Sequence, residues 1–199
     1  MRPKIWVDCD GVLADFVDGY LNLLNLGRDG DSILTHADVT SWDLRSLDAD
    51  ADAAWHAINT STSFCFDLCA LEGAYDGLDS LRALGDVACA TAPVLAGTWM
   101  HQRADWLLAR GFEKRDIVFA EDKSWLMGDV LIDDRVENCL EWQARNPHGL
   151  AILFDQPWNR DNDTLVRACG WPATVGYVER WVALLSTTGA FSPVPRTSV

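Results

Sequence analysis

Basic residues are scarce in this chain. Its 199 residues hold 16 Lys plus Arg against 30 Asp plus Glu, for a formal net charge of −14. A nucleic-acid polymer is bound through a basic face, so that partner class is excluded. A small anion is not, provided that a metal and a few local cations neutralise it. Long apolar runs are missing too. None approaches the ~20 apolar residues of a membrane helix. The first apolar stretch, Ile5-Trp6-Val7, meets Asp8 at once, too soon for a secretory signal. No membrane association is expected. The six cysteines (Cys9, Cys65, Cys69, Cys89, Cys139, Cys169) are scattered. Cys65 and Cys69 have the spacing to share a helix face, but a zinc site would need two further ligands, and none is near. Cys9, Cys89 and Cys139 sit in apolar patterns, as the free thiols of a reducing compartment do, so the cytoplasm is expected. The four histidines (His36, His56, His101, His148) fall in no triad pattern, and there is no internal repeat.

What remains is globular: 49% hydrophobic and 23% charged residues, close to the average, in a length that suits one domain with a small insertion. Lys4 to Val7 reads as a buried strand. Ala14 to Leu26 has helical periodicity, closed by the Gly/Asp turn 27–31. Residues 32–75 break the rhythm: helical pieces, clearest at Ala49 to Ile58, and no convincing strand. From there strands at 87–90, 117–119, 130–132, 150–154 and, weakly, 165–168 alternate with helices at 75–84, 98–110, 136–145 and 174–185. Alternation of this kind predicts an α/β fold, with a parallel sheet covered by helices on both faces. The stretch 186–199 has no periodicity and is expected to be a mobile tail.

In open parallel sheets ligands bind beyond the carboxyl ends of the strands. Three strands here end in reactive groups: Asp8-Cys9-Asp10-Gly11, Thr91-Ala92-Pro93 and Asp133-Asp134-Arg135, with Lys123 in a loop before the last. One aspartate at a strand end is ordinary turn chemistry. Three loaded ends and a lysine in this order are a site. Carboxylates brought together need a hard cation, and Mg²⁺ takes one or two of them plus phosphate oxygens. A carboxylate beside a phosphoryl group can act as nucleophile. A second carboxyl two residues on points to the same side of an extended backbone, where it can protonate a leaving oxygen and then activate water. Thr91 and Lys123 would hold phosphate oxygens.

The string Asp8-Cys9-Asp10-Gly11-Val12-Leu13-Ala14-Asp15-Phe16 resembles the first motif of the haloacid dehalogenase superfamily of phosphatases, and specifically its 5'(3')-deoxyribonucleotidase branch. Thr91-Ala92-Pro93 resembles the second motif, Asp122-Lys123 the third and Leu131 to Arg135 the fourth. Gly73-Ala74 and the stretch Phe154 to Arg160 also look like bacterial members. The similarity spans about residues 4–185. Ala92 departs from the usual serine, which removes one phosphate hydrogen bond, and segment 32–66 matches poorly.

The resemblance implies a Rossmann-like core over 1–16 and 76–185, with a helical cap over 17–75. It implies that Asp8 is the nucleophile and Asp10 the general acid/base, with the Asp10 carboxyl raised by neighbouring carboxylates and burial. Mg²⁺ would be held by the Asp8 carboxylate, the Asp10 backbone carbonyl and Asp134, with Asp133 supporting. The residues alone leave Asp133 and Asp134 unseparated. Phosphate would meet Thr91, Ala92 and Lys123, and Phe16 and Trp42 would stack on a nucleobase. Because a phosphate ester's alkoxide needs a proton and a halide does not, Asp10 favours phosphomonoester hydrolysis over dehalogenation. The expected function is a Mg²⁺-dependent phosphatase of (deoxy)ribonucleoside monophosphates, working through an aspartyl-phosphate, as a monomer or homodimer. The alternatives are a phosphatase for another small ester such as a sugar phosphate, and a catalytically silent scaffold that binds a ligand or a protein.

Overall fold

The computed structural model describes residues 2–94 and 96–187. Six strands, β1 (Lys4–Val7), β2 (Asp86–Thr91), β3 (Ile117–Phe119), β4 (Val130–Asp133), β5 (Leu150–Phe154) and β6 (Val166–Ala168), form one sheet in the order β3-β2-β1-β4-β5-β6. Every pairing is parallel. The helices are α1 (Phe16–Leu24), α2 (Ala51–Thr60), α3 (Phe64–Asp67), α4 (Ala74–Leu84), α5 (Trp99–Leu108), α6 (Val136–Arg145) and α7 (Trp171–Thr187). This is the expected α/β class.

Alternation along the strands builds two cores. Ile5, Val7, Cys89, Val130, Ile132 and Ile152 face one side, where they join Tyr20, Leu78, Trp106 and Trp171 from four helices. Trp6, Ala88, Ala90, Leu131, Ala151 and Leu153 face the other, against Cys139 and Trp142 of α6. Both faces are covered, so the central strands are apolar throughout and only their ends are free to carry polar groups. Gly77 of α4 lets Trp171 lie flat on the helix; a Cβ there would collide with the indole.

Residues 32–75 form no sheet strand. They hold two single 3-10 turns, His36–Asp38 and Leu44–Ser46, with α2 and α3, and a third turn, Gly30–Ser32, leads into them. The Tyr20 hydroxyl donates to Leu44 O at 3.1 Å, and Arg28 pairs with Asp48 at 2.7 Å. These bonds gather the segment beside the carboxyl edge of the sheet. The helix expected over 174–185 is longer, from Trp171 to Thr187, so Ser186 and Thr187 belong to it and not to a tail. Residues 188–199 lie outside the described residues. Cys65 is buried and Cys69 exposed. They share no helix face, because α3 ends at Asp67 and Leu68 is extended. All six cysteines are free. Among the described residues no helix is long and apolar enough to cross a membrane.

Candidate active site

The strand order reverses beside β1: the chain runs β1 to β2 to β3 on one side, then crosses to β4 on the other. Ligands of such sheets lie at this switch point. Val7 is in register with Cys89 and Ile132. Asp8, Thr91 and the pair Asp133-Asp134 therefore emerge at the same edge. Asp8 continues the pairing, its N–H donating to Ile132 O at 2.9 Å. Beyond it the chain turns sharply, with the Cys9 carbonyl accepting from Leu13 and Ala14, both at 2.8 Å. Gly11 makes this turn at φ +76° against Asp134, where any Cβ would strike the carboxylate.

Lys123 is the hub. It lies in a 3-10 turn, Lys123–Trp125, opened by the Asp122 side chain, which accepts from Ser124 N–H at 2.9 Å. Its buried ammonium lies 2.7 Å from Asp8 Oδ1 and 2.6 Å from Asp133 Oδ2. Asp133 is fully engaged, because Oδ1 also accepts from Arg135 N–H at 2.9 Å and Asn138 Nδ2 at 3.1 Å. Asp134 has a different setting. It lines the cavity, and its Oδ2 accepts from the Trp158 indole at 3.1 Å. Oxygens of Asp8, Asp133 and Asp134 lie within 4.8 Å of one another.

Three buried carboxylates share one ammonium. Burial pushes the Asp8 carboxyl up to about 7, Lys123 opposing and Asp133 adding to the rise. Burial, reinforced by Asp8 and Asp133, raises Asp134. Burial alone would lower Lys123, but Asp133 and Asp8 override it and hold the lysine charged. Hard oxygen donors with excess negative charge suit a small divalent cation, so the donor set fits Mg²⁺.

Asp10 is raised as well, chiefly by burial. The Asp8 and Asp10 carboxylates repel each other, while Arg103 and Lys123 are cations that oppose the rise. Arg103, on α5, donates from Nη2 to Asp10 Oδ1. Sequence reading missed this partner. Its signal was an arginine at helical spacing between Trp99 and Trp106, on a face that is otherwise buried.

A cavity of about 380 Å³ opens above these groups, within the range of small-ligand pockets. It is lined by Asp8, Asp10, Thr91, Ala92, Lys123 and Asp134, and also by Phe16 and Trp42. Every expected site residue but Asp133 therefore meets in one space, and Asp133 stands behind it on Lys123. Phe16 is largely a core residue, edge-on to Phe64 at 5.6 Å and tilted on Trp55 at 5.8 Å. Trp42 is half exposed, with the Arg135 guanidinium over its ring at 4.1 Å. Trp55, Trp99, Arg45 and Asn138, none of them singled out from sequence, also line the cavity, as do Arg135 and Trp158 from the motif stretches 131–135 and 154–160. The stretch 154–160 braces the site: Gln156 Nε2 donates to Gly11 O at 2.6 Å and Asn159 Nδ2 to Asp134 O at 2.8 Å. The histidines stay outside, His36 paired with Asp15 and His101 with Asp105, each at 3.4 Å.

Comparison with known proteins gives concordant matches. The family model described as "5' nucleotidase, deoxy (Pyrimidine), cytosolic type C protein" matches residues 2–180. A Bordetella bronchiseptica protein provisionally named a 5'(3')-deoxyribonucleotidase is 30% identical over 163 residues, covering 79% of this chain and 86% of its own. The 5'(3')-deoxyribonucleotidase of Bacillus subtilis is 22% identical over 173 residues, covering 86% and 95%. Among solved structures, a HAD hydrolase of Bacillus subtilis bound to magnesium has a TM-score of 0.58 at 14% identity, covering 89% of this chain and 99% of that one. A haloacid dehalogenase-like hydrolase of Xanthomonas campestris has 0.56 at 11%, covering 94% of each. At these identities the two structures speak for the fold.

Proposed function

The chain belongs to the cytosolic type C family of deoxy 5' nucleotidases and is a phosphatase of HAD-like fold; from that premise we propose that it hydrolyses deoxyribonucleoside monophosphates through an aspartyl-phosphate. One observation carries the mechanism: the Lys123 ammonium clamps Asp8 Oδ1 at 2.7 Å and Asp133 Oδ2 at 2.6 Å at the switch point of the sheet. Asp8 Oδ1 also accepts from Cys9 N–H at 2.6 Å. Both bonds fall on one oxygen, which leaves Oδ2 to attack phosphorus. The new Asp8 O–P bond forms as the ester P–O bond breaks, and the leaving oxygen takes a proton from Asp10. Asp10, now a carboxylate, removes a proton from water as that water attacks the aspartyl-phosphate, which frees phosphate and restores Asp8. Lys123 and Thr91 stabilise the charge on the transferring oxygens.

Asp8, Asp134 and the Asp10 carbonyl would hold Mg²⁺, which when bound offsets the negative charge of substrate phosphate and carboxylates together. Asp133 would support by holding Lys123. Residues 17–75 act as a cap that closes water out of the cavity, with Phe16 and Trp42 against the base. The half-exposed indole on the cavity wall supports that role. Six free thiols support a cytoplasmic location.

The test is phosphate release from a panel of nucleoside monophosphates, ribose 5-phosphate and an aryl phosphate, with Mg²⁺ and with chelator. Release from deoxynucleotides that needs Mg²⁺ is the expected result. A sugar phosphate turned over as well as any nucleotide would replace this substrate class, and full activity in chelator would remove the metal.

A further inference from the structure

Arg103 is an expensive residue with no evident structural return. It is fully buried, and burying a guanidinium costs several kcal/mol of hydration even after relaxation. The recovery is partial, because Nε and Nη1 have no hydrogen-bond partner among the described residues. Trp99 and Trp106 stand 5.2 and 5.7 Å from the guanidinium carbon, within cation–π range, but they satisfy neither free N–H donor. An apolar side chain between two indoles would carry none of this penalty, and such replacements are often neutral or stabilising. Among the described residues the one hydrogen bond the group makes is the donation from Nη2 to Asp10 Oδ1.

That bond has a directional consequence. A guanidinium donates and never accepts, so Asp10 Oδ1 is committed as an acceptor, and a proton carried by this carboxyl sits on Oδ2. The Asp10 side chain keeps 28% exposure and lines the cavity. Its free oxygen is therefore the one offered to a ligand. Arg103 is also fixed in place. Its neighbours on α5 grip the segment before α4: Gln102 Oε1 accepts from Cys65 N–H at 2.9 Å, Gln102 Nε2 donates to Ser61 O at 2.9 Å, and Trp106 Nε1 donates to Leu68 O at 2.8 Å. That segment is bonded in turn to the Asp10 loop, by Asp15 N–H to Cys69 O at 2.9 Å and Leu71 N–H to Leu13 O at 2.8 Å. Donor and acceptor thus sit on one connected frame.

We propose that Arg103 is a positioning residue: by holding Asp10 Oδ1 it presents Oδ2 as the proton donor to the leaving oxygen. The proposal rests on the phosphatase reading above. As the ester P–O bond breaks, its electron pair stays on the leaving oxygen and takes the Oδ2 proton, while the Arg103 charge stabilises the carboxylate left behind.

The test compares wild type, Arg103→Gln and Arg103→Lys on a deoxynucleoside monophosphate, whose alkoxide needs a proton, and on p-nitrophenyl phosphate, whose phenolate does not. Thermal unfolding identifies the folded variants; the lysine variant, which keeps a cation opposite Asp10, is the second chance if glutamine does not fold. The expected result is that the kcat/KM ratio of nucleotide to aryl phosphate falls about tenfold or more in Arg103→Gln, within the reach of one acid–base group, and falls less in Arg103→Lys. In an Asp10→Asn background Arg103→Gln should cost less than about threefold more on the nucleotide, because both changes remove the same action. Equal losses on the two substrates in a folded variant, or additive losses in the double variant, overturn the positioning role. Wild type inactive on both substrates overturns the phosphatase reading and this proposal with it.

Discussion

The Trp158 indole N–H donates to Asp134 Oδ2 at 3.1 Å, so a loop that follows β5 orients a carboxylate at the end of β4. The same loop bonds the Asp134 carbonyl through Asn159 at 2.8 Å. A carboxylate that is to hold a cation gains from a fixed orientation, and loss of such outer partners costs about 10–100-fold in metal affinity elsewhere. Trp158→Phe keeps the ring and removes the donor. The Mg²⁺ concentration for half-maximal activity should rise about tenfold, while the rate at saturating Mg²⁺ changes less. An unchanged Mg²⁺ titration would show that Asp134 needs no such support.

Lys123 joins two carboxylates, at 2.7 and 2.6 Å. Lys123→Met should lower kcat by about 10²–10³, the effect of losing one preorganised electrostatic donor. It should also lower Tm, because Asp8 and Asp133 would be left buried against each other. Steady-state kinetics and calorimetry on the same sample check both. A variant with near-normal kcat would place Lys123 outside the reaction.

Asp8→Asn should abolish turnover and leave a folded protein, since Lys123 keeps its Asp133 partner. It should also change how stability depends on pH. Burial raises Asp8 from 3.8 to about 7. Between those values the folded chain holds a proton that the unfolded chain has released. By linkage, stability contributed by this group is lost as pH rises across that window. Asparagine cannot titrate. In chelator the Tm advantage of Asp8→Asn over wild type should therefore grow, by on the order of a few °C, between about pH 4 and pH 7. A constant difference across the series would refute the raised carboxyl.

The strand ends were legible because two signals coincide there. An apolar run stops, and a reactive side chain follows at once, as at Val7-Asp8 and Ile132-Asp133. Asp133 and Asp134 were not separable from sequence, since adjacency says nothing of partners; the Asn138 and Lys123 bonds that occupy Asp133 come from α6 and from the turn at 123–125. Arg103 was hidden for another reason. On an amphipathic helix a lone cation reads as solvent-facing, and only the tertiary approach of the Asp10 loop makes it internal. Helix ends shifted by one to three residues, as at Thr98 to Arg110 against Trp99–Leu108 and at 174 against Trp171, because helix ends fray.

The base-binding role divides between two aromatics that differ in how cleanly they can be tested. Phe16 is buried against Trp55 and Phe64, so Phe16→Ala opens a core cavity at about 3–5 kcal/mol and confounds specificity with unfolding. Trp42 is 54% exposed. The Arg135 guanidinium lies over its ring at 4.1 Å, a contact worth about 0.5–1 kcal/mol at an exposed site. Trp42→Ala should therefore leave Tm within a few °C of wild type. Stacking of a base on an aromatic contributes ~1–3 kcal/mol. Where that energy is realised in the transition state, it raises kcat/KM for nucleotides and not for a substrate that lacks a base. Wild type should prefer a deoxynucleoside monophosphate over ribose 5-phosphate by about tenfold or more, and Trp42→Ala should shrink the preference several-fold by lowering the nucleotide value alone. If both substrates lose equally, Trp42 serves cap closure through Arg135 instead of the base. If neither loses, the base lies against another wall of the cavity, and Trp55, which touches Phe16 and also lines it, is the next side chain to change.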